Sequence, residues 1–286
     1  MDPVDRVRIR TCEDHSESDR EDTLAVEEPL EIRIRTADGA PASFVTTMRT
    51  PGEDEELAAG LLFAEGVVER RDELLALERP TDPRIDPEIR ANVLVAMLTR
   101  EAAARAGSLR RATVMGSACG VCGKTSIENV LPSDRPPLSS ALRVSSEVLY
   151  GLPERLRQRQ SIFARTGGLH AAAQFTAQGD LTDLKEDIGR HNATDKVVGT
   201  SLLRGELPLS DRVLMVSGRA GFEIVQKAYA AGIPIVASVS APSSLAVELA
   251  QAAGLTLVGF LRERRFNIYA GGERVLSKTI AIRYKA

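Results

Sequence analysis

The second half of the chain alternates short apolar segments with helical segments, and this pattern constrains the fold more than any other feature. The apolar segments are hydrophobic on both faces, which is typical of strands covered by helices on each side. The predicted strands span residues 169–175, 212–216, 234–239 and 255–260, and the predicted helices span residues 145–157, 192–203, 221–231 and 244–253. This half is therefore predicted to be an α/β layer structure.

The N-terminal half is predicted to be α+β. Leu30, Ile32 and Ile34 alternate with charged residues, which is the period of a strand, and a second strand is expected to end at Met48. Further strands are predicted at residues 91–98 and 111–115, and residues 70–90 are predicted to be a charged surface segment.

A helix is predicted between these strands. Thr50 suits a helix cap, Pro51 suits the first helical position, and Glu53 would complete a capping box. Gly66 is expected to end the helix. The residues expected on its buried side are Leu57, Leu61 and Leu62.

The domain boundaries are predicted from composition. Residues 1–25 are rich in charge and poor in apolar anchors, which predicts a disordered tail. The proline-rich stretch at residues 131–137 is interpreted as a connection. The prediction is thus an α+β domain at residues 26–140 and an α/β domain at residues 141–286.

Charge and hydropathy exclude several classes of function. The chain of 286 residues has a formal net charge of −3 and a pI near 5.8, which argues against a broad nucleic-acid surface. It has neither an apolar run of about 18 residues nor a signal-peptide core, so a cytoplasmic protein without a membrane segment is expected. A reducing cytosol disfavours structural disulfides among its three cysteines.

Two of the cysteines form a C-x-x-C motif, Cys119 and Cys122. Gly120 and Gly123 leave the sulfur atoms accessible, and Lys124 is a nearby cation that favours the thiolate, the nucleophilic form. This is an unusual environment for buried structural cysteines. The motif therefore predicts a reactive sulfur site.

Three kinds of chemistry remain open for the pair. A zinc site needs two further ligands, and His170 and His191 lie far downstream and are not paired with each other. A dithiol redox site usually follows a strand directly and opens a helix, whereas this motif lies mid-chain between glycines. In a persulfide carrier, one thiolate accepts a sulfane sulfur and its neighbour assists release by forming the disulfide.

A second candidate site lies where three predicted strands end. Ligands of open α/β sheets bind beyond the carboxyl ends of the strands, and helix N-termini attract anions. Arginine guanidinium groups can fork onto phosphates. The absence of G-x-G-x-x-G and P-loop patterns disfavours a standard dinucleotide or ATP site. The residues that predict a phosphorylated ligand are Ser217, Gly218, Arg219, Ser240, Ser243, Ser244, Arg262, Arg264 and Arg265.

Residues 186–196 are dense in polar groups before a predicted helix. Asn192 or Thr194 is expected to cap that helix, and Asp195 and Lys196 are expected to pair on its surface. His170, at the start of a predicted strand, is interpreted as structural, with proton transfer as the alternative.

These segments resemble the FdhD family, the formate dehydrogenase accessory sulfurtransferases, from about residue 28 onward. The resemblance is specific because it extends over several ordered segments as well as the cysteine pair. The matching motifs are Thr50-Pro-Gly-Glu-Asp-Glu-Glu-Leu57, Cys119-Gly-Val-Cys122, Thr166-Gly-Gly-Leu-His170, Glu186-Asp-Ile-Gly-Arg-His-Asn192, Ser217-Gly-Arg219 and Ser240-Ala-Pro-Ser-Ser-Leu-Ala246.

The resemblance implies a sulfurtransferase that carries a persulfide on Cys119, with Cys122 as its partner. A cysteine desulfurase would donate the sulfur, and the acceptor would be the molybdenum of a bis(molybdopterin guanine dinucleotide) cofactor, bound as a client before its insertion into formate dehydrogenase. No metal would be held by the chain itself. The implied cofactor-binding residues are Phe260, Leu261, Arg262, Glu263, Arg264 and Arg265. The alternatives are a zinc-binding or redox protein, or a cofactor chaperone without sulfur transfer.

The resemblance also implies a homodimer and a C-terminal domain like cytidine deaminase, with three α/β/α layers. Deaminase chemistry is not expected. A zinc deaminase needs H-x-E and a later P-C-x-x-C, whereas His170 is followed by Ala171 and Ala172 and the C-x-x-C lies earlier in the chain.

Overall fold

The computed structural model describes residues 2–112 and 136–277, and for residues 110–112 the backbone alone. Two short 3-10 turns, Arg71–Glu73 and Gly272–Arg274, accompany its strands and helices. In chain order these are β1 (Val4–Glu13), β2 (Ser16–Ala25), β3 (Glu28–Arg35), β4 (Ala42–Arg49), α1 (Asp54–Ala64), β5 (Leu74–Glu78), α2 (Pro87–Ala91), β6 (Val93–Leu98), α3 (Arg100–Ala112), β7 (Val144–Ser145), α4 (Ser146–Arg157), α5 (Phe163–Thr166), β8 (His170–Phe175), β9 (Leu181–Asp187), α6 (Arg190–Leu203), β10 (Val213–Val216), α7 (Phe222–Ala230), β11 (Ile235–Ser238), α8 (Ser244–Ala252), β12 (Thr256–Arg262), β13 (Arg265–Ala270) and β14 (Val275–Leu276).

The chain folds into two compact units, and the mixed α/β class is confirmed. The units do not follow the predicted boundary after residue 140, because segments far apart in the chain belong to one unit. Unit 1 takes its described residues from 2–112, Gln158–Ala172 and Leu184–Leu207, and unit 2 takes them from 136–157, Ala173–Asp183 and 208–277. No helix in these described ranges is long and apolar enough to cross a bilayer.

Unit 1 contains a four-stranded sheet in the order β4-β3-β6-β5. Strand β3 alternates buried and partly exposed residues, as predicted, and pairs antiparallel with β4 and parallel with β6. Helix α1 covers the sheet. The core between them contains Leu30, Ile32, Leu57, Ala58 and Leu94.

Helices α1 and α6 pass each other at very close range. A Cβ added at Gly60 would lie 1.9 Å from the carbonyl oxygen of Asp195, and one added at Gly199 would lie 1.9 Å from the carbonyl oxygen of Glu56. Each helix therefore needs a residue without a side chain at the crossing.

Helix α1 begins three residues later than the capping pattern predicts, with Asp54 rather than Pro51 as its first residue. Its N-cap is Glu53, in the left-handed region with a φ of 56°, and Thr50 is engaged elsewhere. The first helical residue, Asp54, accepts hydrogen bonds from Arg49 at 2.9 and 3.1 Å and from Arg79 at 2.6 Å. Burial alone would raise the pKa of Asp54, but the bonds and charges of Arg49 and Arg79 outweigh burial and hold that pKa below its usual value.

The predicted disordered tail is wrong for residues 4–25, which form the hairpin β1–β2. Its two-residue turn has positive φ at Asp14 (47°) and His15 (63°), as a tight hairpin loop with the right twist requires. Arg10 forms cross-strand ion pairs with Asp19 at 3.1 Å and with Glu17 at 3.5 Å. High charge density predicts disorder, whereas here the opposite charges fall on paired strands.

Two further expectations for unit 1 are corrected. The charged segment at residues 70–90 contains β5 and most of α2. Helix α3 occupies residues 111 and 112, where the strand predicted at residues 111–115 would begin. Residues 113–115 lie outside the described residues. Pro87 at the helix start and the cap from Asp86 to the Glu88 N–H, at 2.8 Å, explain α2.

The six-stranded sheet has the order β13-β12-β11-β10-β8-β9. Strands β10, β11 and β12 are parallel, every residue of β10 and β11 is buried, and helices α7 and α8 connect the strands. This matches the alternation predicted from the sequence to within two residues at each end. The exception is β12, which continues to Arg262 and pairs antiparallel with β13.

Candidate functional site

The predicted thiol pair, Cys119 and Cys122, and Lys124 lie outside the described residues. Their role as a sulfur site stays a prediction. Within residues 2–112 and 136–277, no three His, Cys, Asp or Glu side chains come together as a metal site.

The three predicted anion-binding segments lie side by side in unit 2. Ala220 forms a parallel bridge with Pro242, and the Ser243 N–H donates to the Ala220 carbonyl at 3.2 Å. The Phe260 N–H donates to the Ser240 carbonyl at 3.1 Å. The prediction that these segments share one edge of the sheet is thus confirmed, and anion binding there stays a prediction.

Individual residues of this edge differ in what they can offer. Ser243 is the N-cap of α8, where its hydroxyl accepts the Ala246 N–H at 3.2 Å. Arg219 and Ser244 are exposed, and Ser217 and Gly218 are partly buried beside them.

The prediction for the third segment, residues 260–265, is corrected. The segment belongs to a β-hairpin and is not a loop after a strand. Phe260 and Glu263 have positive φ angles of 52° and 53°, the first at a bulge in β12 and the second in the turn to β13. Leu261 is buried, whereas the four charged residues that follow are exposed. They are Arg262, Glu263, Arg264 and Arg265.

In unit 1 a buried carboxylate, Asp187, organises the residues around it. One oxygen accepts the Gly189 N–H at 2.8 Å and the Asn192 side-chain amide at 2.9 Å. The other accepts the Thr50 N–H at 3.2 Å and lies 2.9 Å from Lys196 Nζ. A fully bonded carboxylate at the end of β9 therefore ties α6 to the segment before α1.

This arrangement corrects the predicted helix cap and surface ion pair of residues 186–196. Gly189 is the N-cap of α6, so neither Asn192 nor Thr194 caps it, and Asp195 and Lys196 are buried. Lys196 also donates to the carbonyl of Thr50 at 3.1 Å and to that of Glu186 at 3.3 Å. The position of Asp195 and Lys196 within a helix does not by itself indicate that their side chains are buried.

Glu186 is the second buried acid of the segment. Its carboxylate accepts the N–H groups of Ile162 and Phe163 at 2.9 and 2.8 Å. Beside it lies a cleft of about 360 Å³. The polar residues that line the cleft include Thr50, Glu53, Arg159, Ser161, Glu186 and Lys196.

His170 begins β8 in a half-buried position. Burial lowers the pKa of its imidazole, and the nearby Arg190 and His191 lower that pKa further, against the opposing charge of Asp187. The neutral imidazole is therefore favoured near neutral pH, which suits a hydrogen-bonding or proton-accepting role better than a cationic one.

Residues 25–276 match the sequence model of the FdhD/NarQ family. The chain belongs to the FdhD/NarQ family. The resemblance drawn from its motifs is confirmed.

Relatives of this FdhD/NarQ protein are similar to it in sequence over nearly their whole length. A Streptomyces avermitilis protein named sulfur carrier protein FdhD is 47% identical over 284 residues, which cover 97% of this chain and 98% of the relative. One of the same name from Sulfurisphaera tokodaii is 42% identical, with 96% and 99% covered. The crystal structure of a candidate formate dehydrogenase accessory protein from Desulfotalea psychrophila has a TM-score of 0.73 at 22% identity, covering 96% of this chain and 100% of that one, and shows the fold alone.

The motifs that indicated the FdhD/NarQ family divide between the two units. The Thr50–Leu57 and Glu186–Asn192 motifs meet around Asp187 in unit 1, and the 217–219 and 240–246 motifs meet at the sheet edge of unit 2. Sequence reasoning missed the buried Lys196–Asp187 pair. One sequence signal could have indicated this pair. Helix α6 begins with more polar residues in succession than capping of a surface helix needs.

Proposed function

We propose that this chain is a sulfur carrier that serves formate dehydrogenase. The observation that carries the proposal is the near full-length similarity to relatives named sulfur carrier protein FdhD. The C-x-x-C motif of this chain supplies the thiols that such a role requires.

The proposed carrier step takes place on Cys119. Its thiolate attacks the outer sulfur of a persulfide on a cysteine desulfurase; the new S–S bond forms as the old one breaks, and the desulfurase thiolate leaves. In the release step, the Cys122 thiolate attacks the Cys119 sulfur, and hydrosulfide leaves as the Cys119–Cys122 disulfide forms. The two electrons come from the thiols, so a cellular dithiol must reduce the disulfide before the next cycle.

The proposed acceptor is the molybdenum of a bis(molybdopterin guanine dinucleotide) cofactor, before its insertion into formate dehydrogenase. The sheet edge of unit 2 supports this proposal, since the segments that meet there carry serine hydroxyls, a helix N-terminus and exposed arginines. These groups suit the phosphates of a guanine dinucleotide. A cytidine deaminase-like fold for residues 141–286, a homodimer and a cytoplasmic location belong to the same proposal.

The test is mass spectrometry of the full-length protein after incubation with a cysteine desulfurase and cysteine. One added sulfur is expected on the peptide that contains Cys119, and Cys119→Ala should abolish it. Cys12→Ala is the matched control, because Cys12 is an exposed cysteine on β1 outside the motif.

Activity of formate dehydrogenase in cells provides the second readout. Cys119→Ala should abolish it and Cys12→Ala should preserve it. Full activity with both motif cysteines replaced, together with binding of guanine nucleotides, would instead identify a cofactor chaperone. One zinc ion per purified chain would identify a metal module.

A further inference from the structure

The cleft beside Glu186 lies within unit 1 and is large enough for a small organic molecule. Its volume is about 360 Å³, which is within the usual range of ligand-binding clefts. Such clefts combine apolar walls with a few polar groups that fix the orientation of the bound molecule. The polar groups of this cleft are accompanied by four apolar residues, Pro3, Pro51, Ile162 and Leu184. The cleft therefore has the composition of a small-molecule site.

One wall of the cleft is the turn before α1, and this turn is bonded at both of its ends. The Thr50 N–H donates to Asp187 at 3.2 Å, and Glu53 Oε1 lies 2.6 Å from Lys185 Nζ. Between these bonds, Gly52 and Glu53 have positive φ angles of 103° and 56°. Glutamate in the left-handed region is strained, and residues in such conformations are concentrated at binding sites. A wall formed in advance lowers the entropic cost of binding.

Two of the charged residues that line the cleft are neutralised from outside it. Glu53 is paired with Lys185. Lys196 Nζ lies 2.9 Å from Asp187, and it also donates to two backbone carbonyls at 3.1 and 3.3 Å. These three bonds use all the donors of a lysine. Neither Glu53 nor Lys196 therefore requires a charge from a bound molecule.

Arg159 and Glu186 also line the cleft, and neither has an ion-pair partner among residues 2–112 and 136–277. The exposed guanidinium of Arg159 can donate two parallel hydrogen bonds to a carboxylate. Glu186 is buried, and each of its carboxylate oxygens accepts one backbone N–H. Each oxygen has a second lone pair that can accept another bond. The cleft thus offers one cationic and one anionic binding group.

We propose that this cleft binds a free α-amino acid with an apolar side chain. Arg159 binds the α-carboxylate, and Glu186 binds the α-ammonium group. The apolar side chain packs against the apolar walls. The proposal concerns a site in addition to the proposed sulfur-carrier function, and that function does not depend on it.

The charge balance of the cleft favours a zwitterion over an anion. A buried carboxylate without a counter-charge is costly, and an ammonium group offsets that cost at Glu186. An anion alone would pair with Arg159 but would be repelled by Glu186. An amino acid supplies both charges in one small molecule that has no net charge.

The experiment titrates the full-length protein with L-leucine and measures its Kd by ligand-observed NMR. Two analogues keep the side chain of leucine and lack one charge each. 4-Methylpentanoate lacks the ammonium group, and isopentylamine lacks the carboxylate. Each should bind roughly tenfold or more weakly than L-leucine, because one charge-assisted contact is lost.

Arg159→Gln tests the carboxylate contact. It should weaken L-leucine binding roughly tenfold or more and leave isopentylamine binding unchanged, because this amine has no carboxylate. Arg165→Gln is the matched control, since Arg165 is an exposed arginine of α5 outside the lining. The control should bind L-leucine like the wild type.

Glu186→Gln tests the ammonium contact. It should weaken the binding of L-leucine and isopentylamine roughly tenfold and leave 4-methylpentanoate binding no weaker. This variant also alters the bonds to Ile162 and Phe163. The comparison of the three probes on the wild type measures the same contact without a substitution, so the proposal remains testable if the variant fails to fold.

Three results would contradict the inference. Unchanged L-leucine affinity in Arg159→Gln would remove the carboxylate contact. Equal affinity of the wild type for 4-methylpentanoate and L-leucine would identify a simple anion site. The absence of saturable L-leucine binding by the wild type would reject the site, while sulfur loading of Cys119 in the same preparation would leave the carrier function standing.

Discussion

Lys196 Nζ lies 2.9 Å from Oδ2 of Asp187, and the two side chains are only 2% and 0% exposed. Taking two charges out of water is costly, and their mutual attraction offsets that cost only when every remaining polar atom is bonded. Here the backbone and Asn192 supply those bonds. The pair is therefore sensitive to the loss of either partner.

Replacing Lys196 with methionine should lower the free energy of unfolding by about 3–5 kcal/mol, because Asp187 is left buried without its counter-charge. Denaturant titration of the variant and wild type measures the difference. The double variant Lys196→Met/Asp187→Asn should recover part of the loss, since no unpaired charge remains. A loss below about 1 kcal/mol in the single variant would contradict this account.

Gly199→Ala should destabilise the protein by about 3 kcal/mol or more, because its Cβ would meet the backbone of α1 at the helix crossing. Gly107→Ala is the matched control. Gly107 also lies within a helix, but a Cβ there meets no atom within 4 Å. This control should be neutral or stabilise by up to about 1 kcal/mol. Equal thermal unfolding shifts in the two variants would show that the crossing is not responsible.

Thr50→Val tests whether the side chain of Thr50 stabilises the fold through its hydrogen bond to Ile188. Its hydroxyl oxygen accepts the Ile188 N–H at 3.1 Å, and valine keeps the shape but removes the acceptor. The free energy of unfolding should fall by about 1–3 kcal/mol because the partly buried N–H of Ile188 loses its partner. Thr50→Ser keeps the hydroxyl and should lose much less. Identical stability of Val and Ser variants would exclude this hydrogen bond as a contributor.

His170 should make the protein less stable in mild acid. Its folded-state pKa lies below the ordinary value of 6.5, so the unfolded chain binds the proton more readily. No stability is lost above that value; the loss begins as pH falls below about 6.5 and continues down to the folded-state pKa. His170→Gln should therefore flatten the dependence of Tm on pH between about pH 7 and pH 5. An equally steep dependence in the variant would assign the effect to other groups.

The alternating part of unit 2 could be predicted from sequence because its signals are local. The strands β10 and β11 are apolar on both faces, and the helices that follow them have a clear apolar side. Their adjacent loops then follow from the geometry of parallel strands. Each element could be recognised without knowing its neighbours.

Other elements depend on partners that no local pattern reveals. Strand β13 begins with an arginine and looks like a basic loop until its pairing with β12 is known. Thr50 fits a capping pattern, but Asp187, 137 residues away, takes its N–H. The charged strands of the first hairpin are ordered by cross-strand pairing rather than by an apolar core. In each case a contact with another segment outweighs the local preference.

The glycine crossing of α1 and α6 can form only late in the synthesis of the chain on the ribosome. Helix α1 ends at Ala64 and α6 begins at Arg190, so roughly 125 residues must be synthesised before the two helices can meet. At the usual elongation speed this takes about 6–25 seconds. Throughout that interval Gly60 faces no partner backbone, and the side of α1 that will receive α6 is exposed to water and to chaperones.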